Sequence, residues 1–345
     1  RRGEDRPFGR LYATAPARAQ PLLRRVRRAG VRGGLASLTL CRVMPRCFLG
    51  AAAAVLLVAC SSDPTPPASP PTQAADGGAP GPGAGLPPDG TDPPPSDLVS
   101  ATTETIEIAG KAREYVLVAP KELDAGRAYP VVFAFHGDGG TGPGLRKAWP
   151  FDAVTGKDAI VVYPTGIGRT WDLYTPTAQN EDIAFLEGMV ASLGQRFSID
   201  AARVFGTGYS NGGFFINQVA CRKSGLFRAI ASHAGGAPYE PPENGAGQWP
   251  NGFVKCNDQQ TGIAAIVFHG TADGAVLPDS GEFDATYWAA VNGCSDTRGP
   301  VEPAPCLAHA SCPADKPVVW CLVPGLNHWI WSEGARASWA FFQAL

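Results

Sequence analysis

Short apolar runs that recur along the C-terminal part of the chain are the feature that most restricts its fold. Six of them are near-continuous, which is typical of strands buried on both faces of a sheet. They are residues 130–135, 159–163, 203–206, 229–232, 263–268 and 318–323. Helical spacing lies between or after them at residues 181–197, 211–221 and 335–344. After an opening hairpin, this alternation predicts an α/β fold with a mostly parallel central sheet and helices on both faces.

The first hundred residues have a different composition. Residues 1–43 contain eleven Arg and no Lys, and we interpret them as an upstream or disordered segment. Residues 44–60 start at a Met and continue through about a dozen apolar residues, as a secretory signal peptide does. Residues 61–98 contain twelve Pro and six Gly, so they predict a disordered linker. Residues 99–345 are then expected to form one domain.

The signal-like segment ends in a more specific pattern. Leu57-Val58-Ala59-Cys60 resembles the bacterial lipobox, in which the Cys is lipidated and becomes the mature N-terminus. This resemblance predicts a lipid anchor at Cys60 and an extracytoplasmic protein, anchored to the cell envelope or secreted. An ordinary signal peptide with an incidental Cys is the alternative. The apolar run is shorter than the ~20 residues that a membrane-spanning helix needs.

The charge balance excludes one class of partner. Without residues 1–59, the chain has 17 basic and 29 acidic residues and a net charge of −12. Binding to a nucleic-acid backbone depends on cationic side chains, so we expect no nucleic-acid partner. No sequence pattern indicates a metal or another cofactor, and we expect none. We also expect the protein to be a monomer.

Six cysteines lie in the expected domain, and export would place them in an oxidising compartment. They are Cys221, Cys256, Cys294, Cys306, Cys312 and Cys321. Three disulfides are therefore expected. The spacing favours Cys221–Cys256, Cys294–Cys321 and Cys306–Cys312. A zinc site is the alternative, but the chain has no CxxC pair to support it.

The pentapeptide Gly208-Tyr209-Ser210-Asn211-Gly212 fits the pattern G-x-S-x-G. It lies between an apolar strand and a helix, where a sharp turn can expose a nucleophilic serine above the sheet edge. Small residues are needed on both sides because larger side chains would clash where strand and helix approach. The turn also points the helix N-terminus at developing negative charge. Ser210 is therefore the candidate nucleophile.

A serine hydroxyl needs a base at neutral pH. In the chain order that accompanies such a turn, an acid and then a histidine follow the serine at strand ends. His328 comes directly after the last strand and is the candidate base. Asp273 follows the strand before it and is the candidate acid, with Asp279 and Asp284 as alternatives. The other four histidines are interpreted as structural: His136 as a packed loop residue, His233 and His269 at strand ends, and His309 in a surface loop.

Backbone amides are expected to stabilise the oxyanion of a tetrahedral intermediate. One is the amide of Asn211, directly after the candidate nucleophile. The other should come from the loop His136–Gly140, where we favour the amide of Asp138. Trp171, Trp329 and Trp331 are candidates for an aromatic cleft, of which Trp171 and Trp329 are favoured as substrate-binding residues, although core packing explains each equally well. Asp182 is interpreted as a structural anchor.

Taken in order, the motifs HGDGG, VVYPTG with TWD, EDIAFL, FGTGYSNGG, VFHGTAD and GLNHWIW resemble one family over residues 101–345. It comprises the secreted polyhydroxybutyrate-depolymerase-like esterases and carbohydrate esterase family 1, with the feruloyl and acetylxylan esterases. The resemblance implies an α/β-hydrolase fold and carboxylic-ester hydrolysis without a metal, with Ser210 as nucleophile, Asp273 as acid and His328 as base. Trp329-Ile330-Trp331 lacks the Pro that commonly follows the family's histidine, so the rim of the cleft is expected to differ.

The resemblance leaves the substrate open between polysaccharide feruloyl or acetyl esters and short hydroxyalkanoate polyesters. Two other classes of function remain as alternatives. One is a serine peptidase on the same fold, and the other is a catalytically silent binding protein anchored at the cell surface.

Overall fold

The computed structural model describes residues 97–238, 247–250 and 252–345. The predicted upstream segment, signal peptide and lipidation site at Cys60 lie outside these residues, as does the predicted linker except for its last two positions. In the part that is described, none of the helices is both long and apolar enough to cross a membrane.

One ten-stranded sheet organises the described chain. In chain order its strands are β1 (Val99–Ile108), β2 (Lys111–Pro120), β3 (Tyr129–Phe135), β4 (Ile160–Pro164), β5 (Ile199–Tyr209), β6 (Ala229–His233), β7 (Ala264–Gly270), β8 (Arg298–Pro300), β9 (Cys306–His309) and β10 (Val318–Val323). Across the sheet the order is β1-β2-β4-β3-β5-β6-β7-β10-β9-β8. In this order, the six neighbouring strands β4, β3, β5, β6, β7 and β10 are parallel to one another. Antiparallel strands flank them on each side, so the predicted mostly parallel sheet and opening hairpin are confirmed.

Helices cover both faces of this sheet, as predicted. They are α1 (Gly142–Ala148), α2 (Asp152–Thr155), α3 (Glu181–Arg196), α4 (Asn211–Arg222), α5 (Pro278–Asn292) and α6 (Gly334–Gln343). Side chains alternate between the two faces of each strand, so the buried residues form two clusters. Phe133 and Phe135 belong to the cluster that includes side chains of α3, α4 and α5. Val132 and Ala134 belong to the cluster that includes side chains of α1 and α6.

The start of α3 is fixed by two polar contacts. The side-chain oxygen of Asn180 accepts hydrogen bonds from the amides of Asp182 and Ile183 and caps the helix. Asp182 is itself buried, forms an ion pair with Arg113 on β2 and accepts a hydrogen bond from the amide of Asp172. These contacts agree with the interpretation of Asp182 as a structural anchor.

Some elements differ from the sequence-based expectation. Helix α5 was not predicted, because polar and small residues such as Asp284 and Gly281 interrupt its buried face and remove the apolar stripe. His309, expected in a surface loop, lies instead on strand β9 and is buried. Both its ring nitrogens are hydrogen-bonded, one to the Arg298 side chain and one to the Ser295 carbonyl.

All six cysteines of the described domain form disulfides, and two of the three predicted pairings are wrong. The pairs are Cys221–Cys256, Cys294–Cys312 and Cys306–Cys321. The first is as predicted. Cys306 pairs with Cys321 rather than Cys312, because the two lie directly opposite across the antiparallel strands β9 and β10. A hydrogen bond from the Ser295 amide to the Ala310 carbonyl then brings Cys294 beside Cys312 instead of Cys321.

Candidate active site

Ser210 lies in a strained turn between β5 and α4. Its backbone has φ 53° and ψ −118°, a conformation that residues other than glycine rarely adopt. A Cβ atom at Gly208 would overlap the backbone of Gly212, and one at Gly212 would overlap the carbonyl of Phe135. Both flanking glycines are therefore required by close backbone approach. The turn leaves the Ser210 side chain half-buried at the carboxyl edge of the parallel strands.

The structure brings His328 to this serine. The ring nitrogen Nε2 of His328 lies 2.9 Å from Ser210 Oγ, within hydrogen-bond distance. The loop that carries His328 follows β10 and is held by Tyr209, whose hydroxyl donates to the His328 carbonyl at 2.8 Å. The Tyr209 ring also packs against the His328 ring, with centroids 5.2 Å apart. The histidine is thus fixed by the residue directly before the serine.

Asp273 completes a chain of hydrogen bonds. Its Oδ2 atom lies 2.8 Å from Nδ1 of His328, while its Oδ1 atom accepts the amides of Ala275 and Val276. Since a carboxylate can only accept, Nδ1 of His328 carries a proton, and Nε2 is free to accept the Ser210 hydroxyl proton. This is the tautomer that general-base chemistry at a serine requires.

The same carboxylate oxygen has a second imidazole neighbour that the sequence interpretation missed. Nε2 of His269, at the end of β7, lies 3.2 Å from Asp273 Oδ2 and 2.8 Å from the Val276 carbonyl. Burial would raise the pKa of Asp273, but the hydrogen bonds from His269, His328 and the Val276 amide hold it below its usual range. The carboxylate therefore stays ionised beside His328.

The two alternative acids lie elsewhere. Asp279 is exposed in the first turn of α5. Asp284 is fully buried on the same helix, where it accepts a hydrogen bond from Asn217 at 2.8 Å. Desolvation by burial raises the pKa of Asp284 to about 7. Of the three candidates, the structure places Asp273 within hydrogen-bond distance of His328.

Both expected oxyanion donors belong to segments next to Ser210. The amide of Asn211 belongs to the first residue of α4, where a helix leaves its N–H groups unpaired. In the loop after β3, the amides of Gly139 and Gly140 donate to the carbonyls of Arg169 and Gly137. This leaves the Gly137–Asp138 peptide as the candidate that sequence reasoning favoured. A Cβ on Gly137 would lie 3.2 Å from Ser210 Cβ, so this peptide is close to the serine.

The assignment of Trp171 to substrate binding is wrong. Its side chain is 2% exposed and stacks on Phe215, with ring centroids 5.1 Å apart. Its indole N–H donates to the His136 carbonyl at 2.8 Å, and its amide donates to Asn211 Oδ1 at 2.7 Å. Trp171 is therefore a core residue next to the site. Trp329 is half-buried against the Tyr209 ring and remains a candidate for substrate contact.

His136 was interpreted as a packed loop residue, and its burial agrees with that. What the sequence did not indicate is that both its ring nitrogens are hydrogen-bonded to the loops around Ser210. A signal existed, because His136 and His269 each precede a Gly at the carboxyl end of a parallel strand. Among the residues described, no group of three or more His, Cys, Asp or Glu side chains is placed to hold a metal ion.

Three comparisons with known proteins bear on this site. The model of the prolyl oligopeptidase family matches residues 153–238, about a quarter of the chain. Feruloyl esterase D of Neurospora crassa is 27% identical over 248 residues, which cover 67% of this chain and 79% of that protein. Feruloyl esterase C of Emericella nidulans is 27% identical over 191 residues, which cover 54% of this chain and 64% of that protein. The chain thus spans slightly less than two thirds of the second relative.

Among solved structures, the acetyl xylan esterase from Aspergillus awamori is similar with a TM-score of 0.58 and 18% identity. The match covers 71% of this chain and 100% of that one, and it establishes the fold. The predicted α/β-hydrolase fold is confirmed. The curated relatives also confirm the predicted resemblance to feruloyl esterases, and they support the prediction of a carboxylic ester hydrolase.

Proposed function

We propose that this chain is a serine esterase that hydrolyses feruloyl or acetyl esters of polysaccharides. The observation that carries the proposal is the continuous hydrogen-bond chain from Ser210 Oγ through His328 to Asp273, with distances of 2.9 Å and 2.8 Å. Nucleophile, base and orienting acid are the three groups that acyl transfer at a serine needs. The curated relatives named feruloyl esterase support the choice of an ester substrate.

In the acylation step, Ser210 Oγ attacks the ester carbonyl while Nε2 of His328 takes the hydroxyl proton. The carbonyl oxygen becomes an oxyanion, and we assign its stabilisation to the amides of Asn211 and Asp138. Because these donors are fixed by the backbone before the reaction, they need no reorganisation when charge develops. His328 then returns the proton to the leaving alcohol, which departs and leaves the acyl group on Ser210.

In the deacylation step, a water molecule attacks the acyl carbonyl while Nε2 of His328 takes a proton from the water. The bond between the acyl carbon and Ser210 Oγ then breaks, His328 gives the proton to Ser210 Oγ, and the carboxylic acid departs. The ionised Asp273 stabilises the imidazolium that forms in both steps without taking its proton. Its position is set by four donors: the amides of Ala275 and Val276 on one oxygen and the two imidazoles on the other. This arrangement limits rotation of the carboxylate, so His328 keeps its orientation between the two steps.

Side chains around the site support an acyl or sugar group with an apolar face. Ile167, Tyr174 and Leu277 are exposed apolar side chains on the loops that follow β4 and β7. Trp329 lies on the loop that follows β10. The carboxyl ends of parallel strands share one sheet edge, so these loops border the edge at which Ser210 lies. Large exposed side chains of this kind suit an aromatic acid or the apolar face of a sugar ring.

A serine peptidase is the second candidate function. The observation that favours it is the match of the prolyl oligopeptidase family to residues 153–238, a segment that includes β5, Ser210 and α4. The segment ends before Asp273 and His328, so the match concerns the nucleophile turn that peptidases and esterases on this fold have in common. A short hydroxyalkanoate polyester is a further substrate to be tested at the same site.

We also propose that the protein is extracytoplasmic and attached to a membrane by a lipid on Cys60. The three disulfides of the domain support an oxidising compartment. The lipobox-like sequence supports the anchor, with residues 61–98 as the tether. Metabolic labelling with a radioactive fatty acid should label the wild type and not C60A. Labelling of C60A, or its absence in the wild type, would contradict the anchor.

A substrate panel tests the proposed function. It comprises methyl ferulate, acetylated xylan, a hydroxybutyrate oligomer and a proline-containing peptide nitroanilide, assayed with the wild type, S210A and S332A. Ser332 is exposed in the loop after His328 and provides the same chemical change outside the hydrogen-bond chain. We expect turnover of one or both of the first two substrates, its loss in S210A and its retention in S332A. Turnover of the peptide alone would replace the esterase proposal by the peptidase.

A further inference from the structure

The tautomer of the buried His136 ring is set by its neighbours. The amide of Gly166 donates to Nε2 at 3.0 Å, so Nε2 must be the unprotonated nitrogen. The ring proton therefore lies on Nδ1, which is 2.7 Å from the Gly137 carbonyl oxygen and donates to it. Burial lowers the pKa of His136 to about 4, so the ring is neutral at neutral pH and keeps this tautomer.

The Gly137 carbonyl is the other half of the peptide group whose N–H belongs to Asp138. It accepts one hydrogen bond from His136 Nδ1 and a second from the Gly140 amide at 3.0 Å. In a trans peptide the C=O and N–H bonds point in opposite directions. Two donors that fix the carbonyl therefore also fix the amide of Asp138, and they direct it away from the His136 ring.

A further set of bonds ties this peptide to the other expected donor. The Trp171 indole donates to the His136 carbonyl, and the Trp171 amide donates to the side chain of Asn211. The His136 and Trp171 rings pack with their centroids 4.8 Å apart. One buried unit thus connects the loop after β3, the loop after β4 and the first residue of α4.

From this geometry we propose that His136 is a positioning residue, which holds the Gly137–Asp138 peptide so that the Asp138 amide faces the oxyanion formed at Ser210. The inference rests on the proposed function, because it assigns a task within the acyl-transfer site. His136 does not touch the substrate. It acts through Nδ1 on the Gly137 carbonyl, and its Nε2 bond to Gly166 serves to set the tautomer and the ring orientation.

Two substitutions separate the ring nitrogens. In H136N, the side-chain amide nitrogen reaches the position of Nδ1 and can still donate to the Gly137 carbonyl. In H136Q, the amide group reaches the position of Nε2, so the bond to Gly166 can persist while the bond to Gly137 is lost. We expect kcat of H136N on 4-nitrophenyl acetate to fall by about threefold and that of H136Q by about 10²-fold, with KM unchanged within about twofold.

H309N and H309Q are the matched controls. His309 is a buried histidine whose Nε2 likewise accepts, from Arg298 at 2.9 Å, and whose Nδ1 lies 3.0 Å from a carbonyl. It lies on β9, outside the hydrogen bonds of the site. We expect both control variants to keep the kcat of the wild type, although their melting temperatures fall. Equal losses in H136N and H136Q, or a larger loss in H136N, would overturn the positioning role.

A second measurement does not depend on ester turnover. The rate at which a fluorophosphonate labels Ser210 also requires stabilisation of a developing negative oxygen. We expect the labelling rate to follow the same order, with H136Q far slower than H136N. W171F, which keeps an aromatic ring but removes the indole donor to the His136 carbonyl, should fall between H136N and H136Q. A wild type that is labelled but hydrolyses no ester would refute the proposed esterase function, and the labelling rates would still test the inference. Equal labelling of H136N and H136Q would refute the inference alone.

Discussion

The dipeptide His-Gly occurs at the carboxyl ends of both β3 and β7, but the two buried imidazoles contact the groups of the site through different ring nitrogens. His136, after β3, donates from Nδ1 to the peptide expected to stabilise the oxyanion. His269, at the end of β7, faces Asp273 Oδ2 and the Val276 carbonyl through Nε2. Since both neighbours of that nitrogen are acceptors, Nε2 of His269 carries the proton. The same sequence pattern therefore orients a backbone peptide in the loop after β3 and the carboxylate of Asp273 in the loop after β7.

The difference follows from what each loop must hold. After β3 the chain folds back on itself, so the ring of His136 reaches the carbonyl of the next residue. After β7 the chain forms a turn at residues 271–276, and the ring of His269 reaches the carboxylate four residues ahead. In each case the histidine is buried and lies within hydrogen-bond distance of a group that the proposed mechanism uses. That group is the Gly137 peptide for His136 and the Asp273 carboxylate for His269.

The largest effect is expected from the carboxylate that His269 and His328 share. D273N should keep the size of the side chain but present an amide N–H to one of the two imidazoles. We expect kcat to fall by about 10⁴-fold, because His328 loses both its tautomer control and the charge that stabilises its protonated form. Steady-state kinetics with D279N as the matched control should show no loss for that exposed aspartate. A larger loss in D279N would mean that the acid has been misassigned.

Substitution of the glycines in the two His-Gly dipeptides, Gly137 and Gly270, should lower stability by different amounts. A Cβ at Gly270 would overlap the backbone carbonyl of Leu326, in the loop that carries His328, whereas one at Gly137 would meet the Tyr209 ring at 2.9 Å. A ring can shift more easily than a backbone carbonyl. We expect G270A to lower the free energy of unfolding by about 3 kcal/mol and G137A by about 1 kcal/mol. Urea denaturation measures both, and an equal or reversed order would contradict this account of the two loops.

The Asn and Gln exchanges should have opposite outcomes at the two histidines. At His269 the Gln variant can still donate from the Nε2 position, whereas H269N cannot. We expect H269N to reduce kcat/KM at neutral pH by about tenfold, which corresponds to one lost charged hydrogen bond of about 1.5 kcal/mol. A greater loss in H269Q than in H269N would show that Nε2 is not the acting nitrogen.

Asp284 provides a smaller test, since it is a buried carboxyl that lies apart from both histidines. Burial raises its pKa to about 7, so the folded state keeps its proton at pH values where the unfolded chain, with a pKa near 3.8, has released it. Its contribution to stability is complete below the unfolded pKa and decreases as pH rises toward 7, by up to about 1.4 kcal/mol per pH unit. We expect D284N to remove part of this slope in urea titrations between pH 4 and 7. An unchanged dependence of stability on pH in D284N would contradict the raised pKa of Asp284.

The sequence was sufficient for the parts of the molecule that depend on local pattern. Near-continuous apolar runs predicted the parallel strands, and the order Ser210, Asp273, His328 predicted which side chains the structure brings together. The sequence was not sufficient where partners are set by strand pairing. Cys306 meets Cys321 because β9 runs antiparallel to β10, and neither the spacing of the cysteines nor the composition of β9 contains that information.

Burial was the other quantity that the sequence could not supply. Trp171 and Trp329 are similar in kind and both lie near motifs of the site, but one is enclosed by Phe135 and Phe215 and the other is half-buried on a loop. The roles of His136 and His269 depend on which ring nitrogen meets which partner, and that is a matter of three-dimensional placement. The G-x-S-x-G turn is a local feature, whereas the groups that orient its partners are distributed over four loops.

Covalent labelling of Ser210 tests the central claim most directly. The wild type, S210A, H328A and S332A would each be treated with a fluorophosphonate, digested and mapped by mass spectrometry. We predict one labelled peptide in the wild type and S332A, with the adduct on Ser210, no adduct in S210A, and labelling slowed by at least about 10³-fold in H328A. An adduct on another residue, or labelling of H328A at the rate of the wild type, would contradict the assignment of Ser210 and His328 as nucleophile and base.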